Sequence, residues 1–184
     1  QWSALALRSV TSASGVPHEV LADGSILFGG EAPAKDTYTI EGPAQSRRIT
    51  AIQVEVLPDA SLPSNGPGRA ENGNLHLNEV RVRINGDPVP IKSAVADFSQ
   101  NGWEIEKAID GNADSAWGIH PQEGKPHKAV FVLAEPVVVE TTSGIEVVLE
   151  QTHGREHVIG RLRVSVSGSA TVSYTHLTLP TTRL

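Results

Sequence analysis

Between Ala108 and Trp117 the chain reads AIDGNADSAW, which gathers Asp110, Asn112, Asp114 and Ser115 around Gly111. Two carboxylates, an amide and a hydroxyl on one short turn suit two kinds of chemistry. Calcium takes oxygen from carboxylates, amides and backbone carbonyls, and a glycine lets carbonyls converge on one point. The same side chains also suit a turn in which they bond only their own backbone. The spacing differs from the D-x-D-x-D-G order of an EF-hand, so that loop is not implied.

Other residues offer weaker chemistry. His153-Gly-Arg-Glu-His157 places two histidines four apart, as zinc-binding helices do, but Gly154 breaks such a helix and the segment is expected to be a solvated turn between strands. His120 and His127 flank a Pro/Gly-containing loop and either meet across it or serve as hydrogen-bonding loop residues. The stretch Ser64 to Asn74 carries Arg69, Asn72 and Asn74 among glycines, and planar donors and amides of this kind recognise hydroxyls or carboxylates. It reads equally as a surface loop shaped by Gly and Pro. No G-x-S-x-G elbow is present to suggest a serine nucleophile. Aromatic residues make up only 4% of the chain, leaving Trp103 and Trp117 as isolated candidates for ligand contact or core packing.

The elements that must position these residues are short. Strand patterns run over Ile49–Val56, Leu75–Ile84, Ala129–Leu133, Ile145–Leu149 and Leu162–Val166, with a shorter one at Thr37–Ile40 and a hairpin around Asp23-Gly24-Ser25. In Leu75–Ile84 the apolar alternation changes face at Glu79, which suggests a bulge. Only Gly102–Ile109 looks helical. Many short strands divided by Gly and Pro predict an all-β antiparallel sandwich or jelly roll with one short helix. The two long connections, Leu57 to Asn74 and Gly111 to Lys128, are where a site is expected, because long loops in a compact domain are commonly functional.

At 184 residues one domain is expected. A formal charge of -6 and scattered arginines argue against nucleic acid as a partner. No apolar run approaches the roughly 20 residues that span a bilayer. The absence of cysteine excludes disulfides, thiolate catalysis and cysteine-bound metal. A chain opening on Gln1 is expected to be a fragment or a processed product. The run after about Ala170, including Ser173-Tyr-Thr-His-Leu-Thr-Leu-Pro180, is similar to translated sequencing-adapter sequence. Residues 2–169 are therefore read as the module and 170–184 as a foreign tail.

Two resemblances follow from these motifs. Ser93-Ala-Val-Ala-Asp-Phe-Ser-Gln100, Trp103, Ala108-Ile-Asp-Gly-Asn112 and Ser115-Ala-Trp117 resemble the signature of discoidin or coagulation-factor type C domains, shared with family 32 carbohydrate-binding modules. Asp23-Gly-Ser25, Val56-Leu-Pro-Asp59, Gly66-Pro-Gly-Arg-Ala70, Asn72-Gly-Asn74 and Gly160-Arg-Leu-Arg163, with other short matches in order, are similar to a domain of large planctomycete-type proteins that also carry cytochrome c-like domains.

The first resemblance implies a galactose-binding-like jelly roll, a glycan ligand and a structural Ca²⁺ at the Asp-Gly-Asn turn. It departs from the usual pattern in placing Leu77-Asn-Glu-Val80 before that turn, as a rearranged strand order similar to a circular permutation would. On this reading Glu79, Asp110, Asn112 and Ser115 hold the ion, while Arg69, Asn72, Asn74, Trp103, His120 and His127 form a shared ligand site. The expected function is non-catalytic glycan binding in an extracytoplasmic setting, beside other domains of a larger parent protein. The alternatives are an interdomain docking module and a metal-assisted hydrolase using His120, His127 and the acidic turn.

Overall fold

The computed structural model describes residues 1–170. The foreign tail expected from Ala170 onward thus lies, apart from Ala170, outside the described residues.

The chain forms two packed antiparallel sheets, an all-β sandwich. The first contains β1 (Ser3–Ala4), β3 (His18–Val20), β4 (Ile26–Phe28), β6 (Arg48–Val56), β10 (Ile91–Ala96), β12 (His127–Val138) and β14 (Arg161–Ser167), ordered β10-β12-β6-β14-β4-β3 with β1 on β14. The second contains β2 (Ser9–Ser12), β5 (Asp36–Pro43), β8 (Glu79–Ile84), β9 (Asp87–Val89) and β13 (Gly144–Gln151), ordered β2-β5-β13-β8-β9. A separate pair joins β7 (His76–Leu77) to β11 (Trp117–Gly118).

Burial explains the sequence patterns. β5 and β13 alternate buried and half-buried residues, as strands with one face on a core do. β6 lies between β12 and β14 and is buried almost throughout, with Ile52, Val54 and Val56 fully so. The sheets meet where Phe28 on β4 stacks on Tyr38 on β5, with ring centroids 3.8 Å apart and planes 6° from parallel. The Tyr38 hydroxyl donates to the Ile159 carbonyl at 2.7 Å, so the buried phenol is both packed and satisfied. The Asp23-Gly24-Ser25 hairpin joins β3 to β4, its Asp23 carboxylate accepting from the Ser25 N–H at 2.9 Å.

Two sequence expectations need correction. Glu79 does not mark a bulge: the chain ends β7 at Leu77 and begins β8 at Glu79 with a different partner, since β7 pairs with β11 and β8 with β13. Asn78 makes the crossing. The expected two-turn helix over Gly102–Ile109 is a single 3₁₀ turn at Ile105–Ala108, whose buried Ile105 and Ala108 fit it to the core. Glu104 before it caps no backbone N–H within that turn and its dihedrals are extended, so no longer helix starts there.

Candidate functional site

Asn78 organises the acidic turn. It is 1% exposed; its side-chain amide donates to the carbonyls of Ala113 at 3.0 Å and Ser115 at 3.2 Å, while its Oδ1 accepts the Thr152 N–H at 2.8 Å. The turn also bonds itself. Asp110 Oδ1 accepts the Asn112 N–H at 2.9 Å, and Asn112 Oδ1 accepts the Asp114 N–H at 3.0 Å.

One point in the turn is oversupplied with oxygen. The Ser115 hydroxyl lies 2.6 Å from Asp110 Oδ2, 3.1 Å from the Asn112 carbonyl and 3.4 Å from the Lys107 carbonyl. A hydroxyl has one proton and donates one full hydrogen bond, so it does not satisfy three acceptors. Glu79 enters from β8: its Oε1 accepts the Gly111 N–H at 2.7 Å, and its carboxyl group lies beside that of Asp110.

Charge follows from that crowding. Burial pushes the Glu79 carboxyl up to about 7, against the pull of the Gly111 N–H and with the neighbouring Asp110 adding to the rise. Burial opposes ionisation of Asp110 as well. There the Ser115 hydroxyl and the Asn112 N–H outweigh it and hold the carboxyl below its ordinary value. Two carboxyl groups in contact thus share the site as one acid and one carboxylate, unless a cation neutralises both.

A second cluster lies three residues back along the chain. His76 is 4% exposed and stacks between two rings, Trp103 at 4.1 Å between centroids and 8° between planes, and His157 at 4.6 Å and 13°. His153 stands edge-on to His76 at 4.1 Å and to Trp103 at 5.1 Å. Trp103 is held by its carbonyl, which accepts the Gly118 N–H at 3.1 Å, and by its own N–H, which donates to Gln100 at 2.8 Å. Gly118 fits because it has no side chain: a Cβ there would sit 2.5 Å from Gln100 Oε1 and 2.9 Å from His76 Nε2. Burial, with His153 and His157 close by, pushes His76 down to about 3, and the same causes, with Arg155, lower His153.

Among the described residues, His76, His153 and His157 are the one group of three metal-ligating side chains with mutually close donor atoms. The solvated turn expected for His153 and His157 is instead folded onto a buried third histidine. His76 sits between Leu75 and Leu77, in the position that an alternating strand gives to solvent. The cue available in sequence was the run of polar residues Asn74, His76 and Asn78 alternating with Leu75 and Leu77.

The six residues expected to share a ligand site divide. Arg69 is buried, with Nη2 donating to the Gly30 carbonyl at 2.5 Å. Asn74 is 2% exposed; its Oδ1 accepts the Ile119 N–H at 3.1 Å and its Nδ2 donates to Gln100 at 3.0 Å. His127 is buried against Asp97 at 3.2 Å and the Gln122 carbonyl at 3.3 Å. These three turn inward because each has internal partners that a buried polar group requires. Asn72 is exposed, Trp103 is half-buried, and exposed His120 pairs with Glu123 at 2.5 Å.

The two long loops do meet, through the Gly124 N–H donating to the Gly66 carbonyl at 2.6 Å. Beside them, Glu71 and Asn72 of the first loop face Arg155, Glu156 and His157 across an open depression of about 820 Å³. Neither a family model nor a curated protein sequence matches the chain. No helix among the described residues is long and apolar enough to cross a membrane.

Proposed function

We propose that the chain is a non-catalytic glycan-binding module whose acidic turn holds a structural calcium ion. The observation that carries the glycan reading is the depression between the Asn72 loop and the Arg155–His157 segment of the loop joining β13 to β14. Its walls are Glu71, Asn72, Arg155 and Glu156. Carboxylate, amide and guanidinium groups are the planar donors and acceptors that pair with vicinal hydroxyls, and an open depression admits a chain end without enclosing it.

The calcium reading rests on the oxygens around Ser115. Asp110, Glu79, the Lys107 and Asn112 carbonyls and the Ser115 hydroxyl supply the hard donor set that calcium prefers. When bound, the ion supplies positive charge that lets Glu79 and Asp110 ionise together. The protein supplies the frame: Asn78 pins the turn to β13, and fully buried Trp117 follows it into the core with its indole N–H donating to the Phe98 carbonyl at 3.0 Å.

The test of glycan binding is an array of plant, algal and microbial glycans probed with the intact chain, followed by titration of any glycan retained. The expected result is saturable binding that Asn72→Ala and Arg155→Ala each weaken by about tenfold while the melting temperature holds. Glycan binding undiminished by both substitutions, or absent across the array at millimolar ligand, refutes the reading.

A further inference from the structure

The geometry points to a second and separate metal site: we propose that His76, His153 and His157 bind one divalent first-row transition-metal ion of the zinc and copper class, with solvent completing the coordination. This site is distinct from the acidic turn and does not depend on the glycan reading.

Three observations carry it. Each of the three histidines has a ring nitrogen within 4.8 Å of one on each of the others. Nδ1 of His76 is buried and has no hydrogen-bond partner, although buried polar atoms in folded proteins nearly always have one. His157 is already oriented as a ligand: its Nδ1 lies 3.0 Å from the Gly154 carbonyl, which only accepts, so Nδ1 carries the proton and Nε2 keeps its lone pair. A backbone carbonyl on the far nitrogen is the usual outer support of a metal-bound imidazole.

His76 turns its Nε2 edge to the side-chain amide nitrogen of Asn74, 3.4 Å away, and leaves Nδ1 buried without a partner.

The donor set decides the class of ion. Three imidazoles without a carboxylate suit zinc, copper or nickel and not calcium or magnesium, which take oxygen. Bonds of about 2.0–2.1 Å in a tetrahedron set ligand nitrogens about 3.4 Å apart, so the cluster must contract by about 1 Å. Ring planes must also contain the ion, which requires the His157 ring to turn out of its stack on His76. His153 and His157 lie on the loop that carries the chain from β13 in one sheet to β14 in the other, outside both sheets, and supply that motion, while Trp103 and Gly118 keep His76 in place.

The experiment is titration of the intact chain with Zn²⁺ alone by calorimetry and with Co²⁺ alone by visible absorption, with no glycan present. The expected result is one site of micromolar or tighter affinity, a tetrahedral cobalt spectrum, and loss of at least about tenfold in affinity in His153→Ala and in His157→Ala. Because His153 is more open than His76, its replacement leaves the fold intact and keeps the test independent of folding; His120→Ala, the control, leaves affinity unchanged. Absence of saturable zinc binding, or binding that survives both His153→Ala and His157→Ala, overturns the proposal. Neither outcome bears on glycan retention or on calcium.

Discussion

His76 and Glu79 are three residues apart, yet they enter two polar clusters of opposite character. Glu79 meets the Gly111 N–H and the Asp110 carboxyl, which in turn accepts from the Ser115 hydroxyl, so oxygen gathers on its side. His76 meets Trp103, His153 and His157, so its surroundings are aromatic rings with nitrogen lone pairs. Burial penalises the charged form of both, but the sign differs: the carboxyl is pushed towards keeping a proton and the imidazole towards losing one. A short polar run therefore yields two clusters with opposite demands on a proton. The change of strand partner at Asn78 makes this possible, because it sends consecutive side chains into two compartments.

The most damaging way to break the comparison is to remove the residue between the clusters. Asn78→Ala deletes three hydrogen bonds, leaving the Thr152 N–H and the Ser115 carbonyl without their partner and the Ala113 carbonyl with the Thr152 hydroxyl alone. The expected cost is about 3 kcal/mol by urea denaturation, since a buried hydrogen bond contributes about 1 kcal/mol and orphaned groups add to the loss. A cost below about 1 kcal/mol would show that the two clusters are held independently of Asn78.

Calcium separates the clusters next. At about a hundred times its dissociation constant, a ligand specific for the folded state adds about 2.7 kcal/mol, or a rise of roughly 5–10 °C in melting temperature for a chain of this size. The rise is expected in the unmodified chain and in His153→Ala, and is expected to vanish in Glu79→Gln. Scanning fluorimetry with calcium and with chelator reads it. Equal shifts in the unmodified chain and in Glu79→Gln would place calcium elsewhere.

The pH dependence of stability is a smaller effect with opposite signs in the two regions. Glu79 has a folded value of about 7 against an ordinary 4.5, so the folded chain holds the extra proton and metal-free stability falls as pH rises from 4.5 to 7. His76 has a folded value of about 3 against an ordinary 6.5. Its contribution is fully present above 6.5 and is lost as pH falls towards 3. Denaturation in chelator at stepped pH should therefore show Glu79→Gln removing the loss on the alkaline side and His76→Phe removing the loss on the acid side. Each change is expected to be on the order of 1 kcal/mol, discounted for the solvent that reaches Asp110. If either variant altered the other's limb, the clusters would be electrostatically coupled.

Much of the frame was legible because strands with one buried face announce themselves. Alternation located β5, β6, β8, β13 and β14, and the Asp-Gly turn located the β3–β4 hairpin. β10 and β2 were not read: Ile91–Ala96 and Ser9–Ser12 are short, mixed in polarity and mostly half-buried or exposed, so neither shows a clean apolar face. The meeting of Glu79 with the acidic turn was legible from its break in alternation. The histidine cluster was not, since the alternation that exposes Glu79 also disguises His76 as a surface residue. What buries it is the Trp103 loop and the 153–157 loop between the two sheets, and loop packing leaves no period in a sequence. Arg69, Asn74 and His127 misled for the related reason that a polar residue in a Gly/Pro-rich loop looks available, whereas these three hold the loops together from inside.

The smallest expected effect discriminates most finely within the acidic turn. Asp110 and Asp114 are both exposed carboxylates on the same few residues. If accumulated negative charge alone drew the cation, either would serve, and removing either would weaken calcium binding alike. The geometry distinguishes them: Asp110 touches Ser115 and Glu79, whereas the bond recorded for Asp114 runs from its backbone N–H to Asn112. Asp114→Ala is accordingly expected to change stability by less than about 0.5 kcal/mol, the usual range for an exposed surface position. It should also keep the calcium-dependent rise in melting temperature, while Asp110→Ala loses it. The comparison is made in one buffer at physiological ionic strength, where screening damps the general field of the turn but not direct ligation. Equal losses in the two variants would mean that the turn attracts cations by its charge without ligating one at Asp110, and the oxygens around Ser115 would then be serving the turn alone.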